Sequence, residues 1–195
     1  TLVKCIMKEI EHEGTLTLGH NVMIGYFAQN QASLLDENLT VFQTIDDVAQ
    51  GDIRNKIKDL LGAFMFGGEN SAKKVKVLSG GERTRLAMIK LLLEPVNLLI
   101  LDEPTAPLTI KEVDTLFRII MDLKKKGVAV IYISHRLEEI FEITDRIVVM
   151  RDGHFTSEVK TEMTSRPELI RAMIGRDVND INYPHTNCAQ EEVVL

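Results

Sequence analysis

The sequence predicts an α/β fold built on a doubly wound parallel sheet, and three observations predict it. Two short runs, Val96–Leu101 and Val128–Ile133, are almost wholly apolar, as expected of strands covered on both faces. Helical stripes alternate with these runs, the rhythm of crossover connections between parallel strands. The first run then ends in two carboxylates, Asp102 and Glu103, at the edge where such sheets gather ligands.

The elements follow in order. Leu2, Cys5, Ile6 and Ile10 share one helical face, so the chain opens in a helix expected to end at Gly14. Val22–Ala28 reads as a strand ending at Gln29. From about residue 31 to 78 the stripes Val41, Ile45, Val48 and Ile53, Ile57, Leu60 mark a small helical insertion, broken by Gly62, Gly67 and Gly68. Leu86, Ile89 and Leu93 mark a helix stopped by Pro95, which leads into the first apolar strand. Val113, Leu116, Phe117, Ile120 and Leu123 give a long helix whose Lys124, Lys125 and Lys126 complement its dipole. After Val128–Ile133 come a shorter helix through Leu137, Ile140 and Phe141 and a further strand, Ile147–Met150, turning at Asp152–Gly153. A last helix covers Pro167–Ile174, and the polar stretch beyond reads as a linker.

Bulk properties narrow the classes. The 195 residues are 45% hydrophobic and 27% charged, the balance of a globular domain with a sizeable core. A net charge of −6 argues against recognition of nucleic acid through bulk electrostatics. Cys5 and Cys188 lack metal-ligand spacing and fit inert thiols in a reducing cytosol. No segment approaches the roughly 20 apolar residues of a membrane span, so a membrane role is expected to be peripheral.

Two segments carry chemistry. Leu98–Asp102 is a buried strand delivering acids to its C-terminal end, and phosphoryl transfer needs one carboxylate for Mg²⁺ and one group to orient water. Alternation along a strand separates the roles, Asp102 for metal and Glu103 for water. Ser79-Gly80-Gly81-Glu82 is a capping box that would start a helix with no ligand at all. Its two glycines cost about 1 kcal/mol each against alanine, which makes sense where a phosphate must approach bare N–H groups. His135 follows the second strand by two residues, on the same edge as Asp102, within reach of a γ-phosphate. Gln29 can face bound water or Mg²⁺ through its amide oxygen. His12, His20, His154 and His185 have no comparable setting.

Together these residues resemble an ATP-binding-cassette (ABC) ATPase over about residues 1–175. Leu78–Glu82 matches the signature motif, Leu98–Asp102 the Walker B strand, Glu103 the catalytic glutamate, His135 the switch histidine and Gln29, in Tyr26-Phe-Ala-Gln29, the Q-loop. The resemblance implies a P-loop NTPase (RecA-like) sheet with the helical subdomain inserted at about 31–78, and a head-to-tail pair with a second ABC ATPase domain. ATP and Mg²⁺ would be bound by Gln29, Asp102 and, across the pair, by Ser79, Gly80, Gly81 and Glu82. The family's G-x-x-x-x-G-K-[ST] loop is expected immediately before Thr1, since Thr1-Leu2-Val3-Lys4 resembles the start of the helix behind it. Without that loop this chain alone is expected to be inactive.

Two subfamilies are resembled. Ile24–Gln31 and Leu78–Arg85 look like the second cassette of soluble ABC-F proteins, which act on ribosomes. Thr105–Thr109, Tyr132–Glu139 and Met150–Gly153 look like the first cassette of a tandem sugar-importer ATPase, and residues 176–195 like its lead toward a second cassette. The change falls at Leu101–Thr105, a string both share, and Ala106-Pro-Leu-Thr109 lacks the aspartate of the D-loop. The leading expectation is a sugar-importer ATPase docked on transmembrane permease subunits, at the cytoplasmic face of the cell membrane. The alternatives are a ribosomal ABC-F ATPase and a non-catalytic interaction module.

Overall fold

The computed structural model of the chain describes residues 2–28 and 34–175. It divides into two compact units, with the division between Ile143 and Thr144.

The first unit is built on a three-stranded parallel sheet of β1 (Ile24–Phe27), β2 (Leu98–Asp102) and β3 (Ala129–Ile133), in that order. Leu98 faces Ile24 on one side and Ala129 on the other, so β2 is central. Leu99, Ile100 and Leu101 are fully buried, as the unbroken apolar run requires; each contributes about 1.5–3 kcal/mol by leaving water. β3 departs from expectation. Only Val128, Val130 and Tyr132 pack on the core, while Ala129 and Ile131 face outward and are exposed. An apolar run alone does not distinguish a strand covered on one face from one covered on two.

Six α-helices among the described residues complete this unit: α1 (Leu2–Ile6), α2 (Val41–Asp46), α3 (Ile57–Ala63), α4 (Gly80–Leu93), α5 (Ile110–Lys125) and α6 (Leu137–Ile143). α1 stops well before Gly14. Lys8 takes a left-handed φ of 59°, and the Lys8 and Glu9 amides donate back to Cys5 and Lys4, a helix-ending motif normally served by glycine. Between β1 and α4 the described residues form α2, α3 and short 3₁₀ turns, with no strand among them beyond a single bridge between Thr40 and Lys74. Val41, Ile45, Phe64 and Phe66 from the insertion join Leu86, Met88 and Ile89 of α4 and Leu99, Leu101 and Leu116 in one core. Gly25 lets α4 lie close on β1. A β-carbon there would come within 3.0 Å of Val96 and 3.1 Å of Leu91.

Capping sets the helix starts. Thr40–Gln43, Ser79–Glu82 and Thr109–Glu112 form reciprocal capping boxes at α2, α4 and α5. Lys124 and Lys125 sit in the last turn of α5, as the dipole favours.

The second unit holds β4 (Arg146–Arg151), β5 (His154–Lys160) and α7 (Arg166–Ile174). β4 was expected to extend the parallel sheet; it pairs antiparallel with β5 instead, in a separate two-stranded sheet. The turn between them has positive φ at both Asp152 (50°) and Gly153 (79°), which matches strand twist in a two-residue hairpin. No helix among the described residues is long and apolar enough to cross a membrane.

Candidate functional site

β2 carries Asp102 as its last residue, paired with Ile133 of β3. Glu103 then leaves the strand in the left-handed region, φ 48°, a conformation that costs a non-glycine residue roughly 1–3 kcal/mol. Its amide still donates to the Ile133 carbonyl at 3.0 Å, so the sheet holds the backbone at the point of strain. Pro104 occupies the second position of the turn that closes from the Ala106 amide to the Glu103 carbonyl. Asp102 and Glu103 are thus set apart by a left-handed turn, where the sequence argument had relied on the alternation of a continuous strand.

The loop after β3 brings His135 onto Glu103. Oε1 of Glu103 accepts the His135 backbone N–H at 3.1 Å and lies 2.8 Å from Nδ1 of the same residue. The imidazole remains 75% exposed, so its Nε2 edge stays open to a ligand, whereas the glutamate side chain is 24% exposed. Asp102 is half-buried, and burial, helped by the neighbouring Glu103 charge, holds its carboxyl above the usual carboxylate range. That is the electrostatic setting a cation relieves. One hard-oxygen carboxylate fits Mg²⁺, which takes the rest of its shell from water and phosphates. Among the described residues no group of three or more His, Cys, Asp and Glu side chains is placed to hold a metal by itself.

The glycine-rich segment lies apart, at the N-terminus of α4. The Ser79 backbone N–H and hydroxyl both donate to Oε2 of Glu82 at 2.8 Å, and the Glu82 amide donates to the Ser79 hydroxyl at 3.4 Å. These bonds, the backbone one foremost, hold the Glu82 carboxyl below its usual range. Gly80 and Gly81 are exposed, have ordinary helical φ, and a β-carbon on either would meet nothing within 4 Å. Neither packing nor backbone requires glycine here, and the Gly80 and Gly81 N–H groups lie outside the capping box, where a helix end can meet an anion. Within the described residues no hydrogen bond or ion pair links Ser79–Glu82 directly to Glu103 or His135. Gln29 lies outside the described residues, as do Cys188 and the linker.

Sequence reasoning missed Glu139. It reads as one of two acids in the first turn of α6, a pattern that normally complements the helix dipole in water, yet it is 6% exposed. Its Oε1 accepts from the Thr105 hydroxyl at 2.8 Å and Arg136 Nη1 at 3.3 Å, and its Oε2 from the Tyr132 hydroxyl at 2.7 Å and the Ser134 hydroxyl at 3.0 Å. The only sequence hint is the cluster of hydroxyls, Thr105, Tyr132 and Ser134, at the ends of two apolar strands.

Acids at the central strand's end, a histidine loop after the neighbouring strand and an inserted helical subdomain are the features that the chain shares with the ATP-binding-cassette class. Residues 1–106, more than half of the chain, match the family model described as ABC transporter, and the chain belongs to that family, whose members bind nucleotide. Similar proteins include the ribose import ATP-binding protein RbsA of Lactococcus lactis subsp. cremoris (strain SK11), 46% identical over 123 residues, which are 63% of this chain and 25% of that protein. RbsA of Chromobacterium violaceum is 39% identical over 143 residues, 73% of this chain and 28% of that protein. The chain therefore spans about a quarter of the length of these curated relatives. Two solved structures share the fold. One is the archaeal ribosome recycling factor aABCE1 with the stalk protein aP1 (TM-score 0.62, 24% identity, 75% of this chain and 28% of that one). The other is the ADP- and Pi-bound dimer of the ATP-binding cassette MJ0796 (TM-score 0.56, 21% identity, 72% and 63%).

Proposed function

We propose that this chain is the larger part of a cassette domain, residues 1–175, that couples ATP binding and hydrolysis to import of a sugar. Residues 176–195 then lead toward a second cassette. The observation that carries the ATPase reading is the junction of Glu103 and His135 beside Asp102 at one sheet edge. The sugar is argued from identity to ribose import proteins.

In this reading Asp102, with Gln29, holds Mg²⁺, which when bound neutralises charge on the transferring phosphate. Glu103 orients the attacking water through the oxygen not engaged by His135, and takes its proton. With Nδ1–H engaged by Glu103, His135 meets the γ-phosphate as the imidazolium, whose Nε2–H donates to it. Ser79, Gly80, Gly81 and the Glu82-capped turn offer helix N–H groups to a nucleotide held by the partner domain in a head-to-tail pair. In this class the cradle for the β- and γ-phosphates is a G-x-x-x-x-G-K-[ST] loop, a pattern that does not occur within the 195 residues. Calorimetric titration of the 195-residue chain with ATP and Mg²⁺ is expected to give binding weaker than micromolar.

The docking partners are permease subunits at the cytoplasmic membrane face. Fractionation of cells producing the protein tests this: association with permease-bearing membranes is expected. Sedimentation with ribosomes would instead support the ABC-F reading suggested by Ile24–Gln31 and Leu78–Arg85.

A further inference from the structure

We infer that Glu139 is a positioning residue that fixes the two loops carrying Glu103 and His135 against each other. The inference rests on the ATPase reading for its purpose but on geometry for its substance.

An ionised carboxylate offers about four lone-pair sites, and Glu139 has four donors on them, two per oxygen. The origin of those donors is the argument. Thr105 lies two residues after Glu103, on the turn that gives Glu103 its left-handed backbone. Tyr132 lies on β3, where burial and the bond to Glu139 push its phenol up, so it remains a donor. Ser134 and Arg136 stand immediately on either side of His135. Ser134 also accepts the Arg136 amide at 3.0 Å, closing a tight turn around the histidine. One buried group on α6 therefore ties the Glu103 loop, the strand before His135 and both neighbours of His135 to a single point. His135 itself is exposed and has no packing to orient it; its ring meets Glu103 because its loop is held. A carboxylate whose sole purpose was to stabilise the core would not draw its donors from the flanks of the two reactive residues.

The consequence is a defined tautomer. A neutral imidazole whose Nδ1 donates to a carboxylate carries its proton on Nδ1, against the ordinary preference of free histidine for Nε2–H. Nitrogen NMR of the His135 ring reads this directly in the 195-residue chain, at about pH 9, above the ordinary range of histidine titration. The wild-type chain is expected to show the Nδ1–H form as the majority. In Glu139→Gln, one oxygen replaces two and the loop is released, so the majority should shift to Nε2–H. The amide signals of Leu98–Leu101 should stay in place, reporting an intact sheet. A folded Glu139→Gln chain with the wild-type ring signature would overturn the inference, and so would an Nε2–H majority in the wild type. Should Glu139→Gln fail to fold, Ser134→Ala removes the tether next to His135 and leaves the Thr105 and Tyr132 bonds. A tautomer shift in the same direction supports positioning, and an unchanged ring refutes it. Because no nucleotide is present, this result stands or falls separately from ATP hydrolysis.

Discussion

His135 and Glu103 meet twice at one oxygen: Oε1 of Glu103 accepts the histidine backbone N–H at 3.1 Å and faces its Nδ1 at 2.8 Å. The double contact locks one side of the glutamate and leaves the other for a reactant. It also joins the turn after β2 to the loop after β3 at the sheet edge. Four expectations follow from this edge and from the packing behind it.

Burial raises the Asp102 carboxyl above its ordinary range, and repulsion from the Glu103 charge adds to the effect. A group whose folded value is raised favours the protonated state of the fold. Stability from this group is therefore greatest in acid and is lost as pH rises from the ordinary aspartate value through the raised one. Above that window Asp102→Asn should be at least as stable as wild type, with the advantage vanishing below it. Urea midpoints measured across pH check this, and a variant destabilised above the window would contradict it.

Glu82 shows the opposite sign. Its carboxyl is held low by the Ser79 backbone and hydroxyl, so its contribution is present above the ordinary carboxylate value and lost as pH falls through the depressed one. Ser79→Ala should cost about 1 kcal/mol near neutrality. Below the depressed Glu82 value the difference should shrink. Chemical denaturation at neutral and acid pH measures both.

Gly25 has a packing role. A β-carbon there would press on Val96 at 3.0 Å and Leu91 at 3.1 Å, both side chains that can give only slightly between β1 and α4. Gly25→Ala is expected to destabilise the chain by about 1–3 kcal/mol. A urea midpoint equal to wild type would show that α4 moves freely on the sheet.

Much of this was legible in the sequence, for identifiable reasons. β2 and the start of α4 were plain because an unbroken apolar run and a Ser-x-x-Glu box each have a single local cause. The shared sheet edge of Asp102 and His135 followed from both lying at or just past the ends of strands that pair in parallel. Other features depend on tertiary context. Lys8 ends α1 early by adopting a conformation that sequence assigns to glycine. Ile131 is exposed although its strand is apolar. β5 was missed because His154–Lys160 has few apolar residues, although Asp152–Gly153 already signalled a hairpin. Glu139 was invisible because an acid in the first helical turn has a sufficient reason to be there without burial.

The central claim is that Glu103 orients the water in ATP hydrolysis, and its most direct test is steady-state turnover by a form carrying the family's phosphate loop ahead of Thr1. Glu103→Gln is expected to retain ATP binding, to hold the paired domains closed, and to lower turnover by roughly 100-fold or more. Turnover equal to that of the unsubstituted protein would contradict the account.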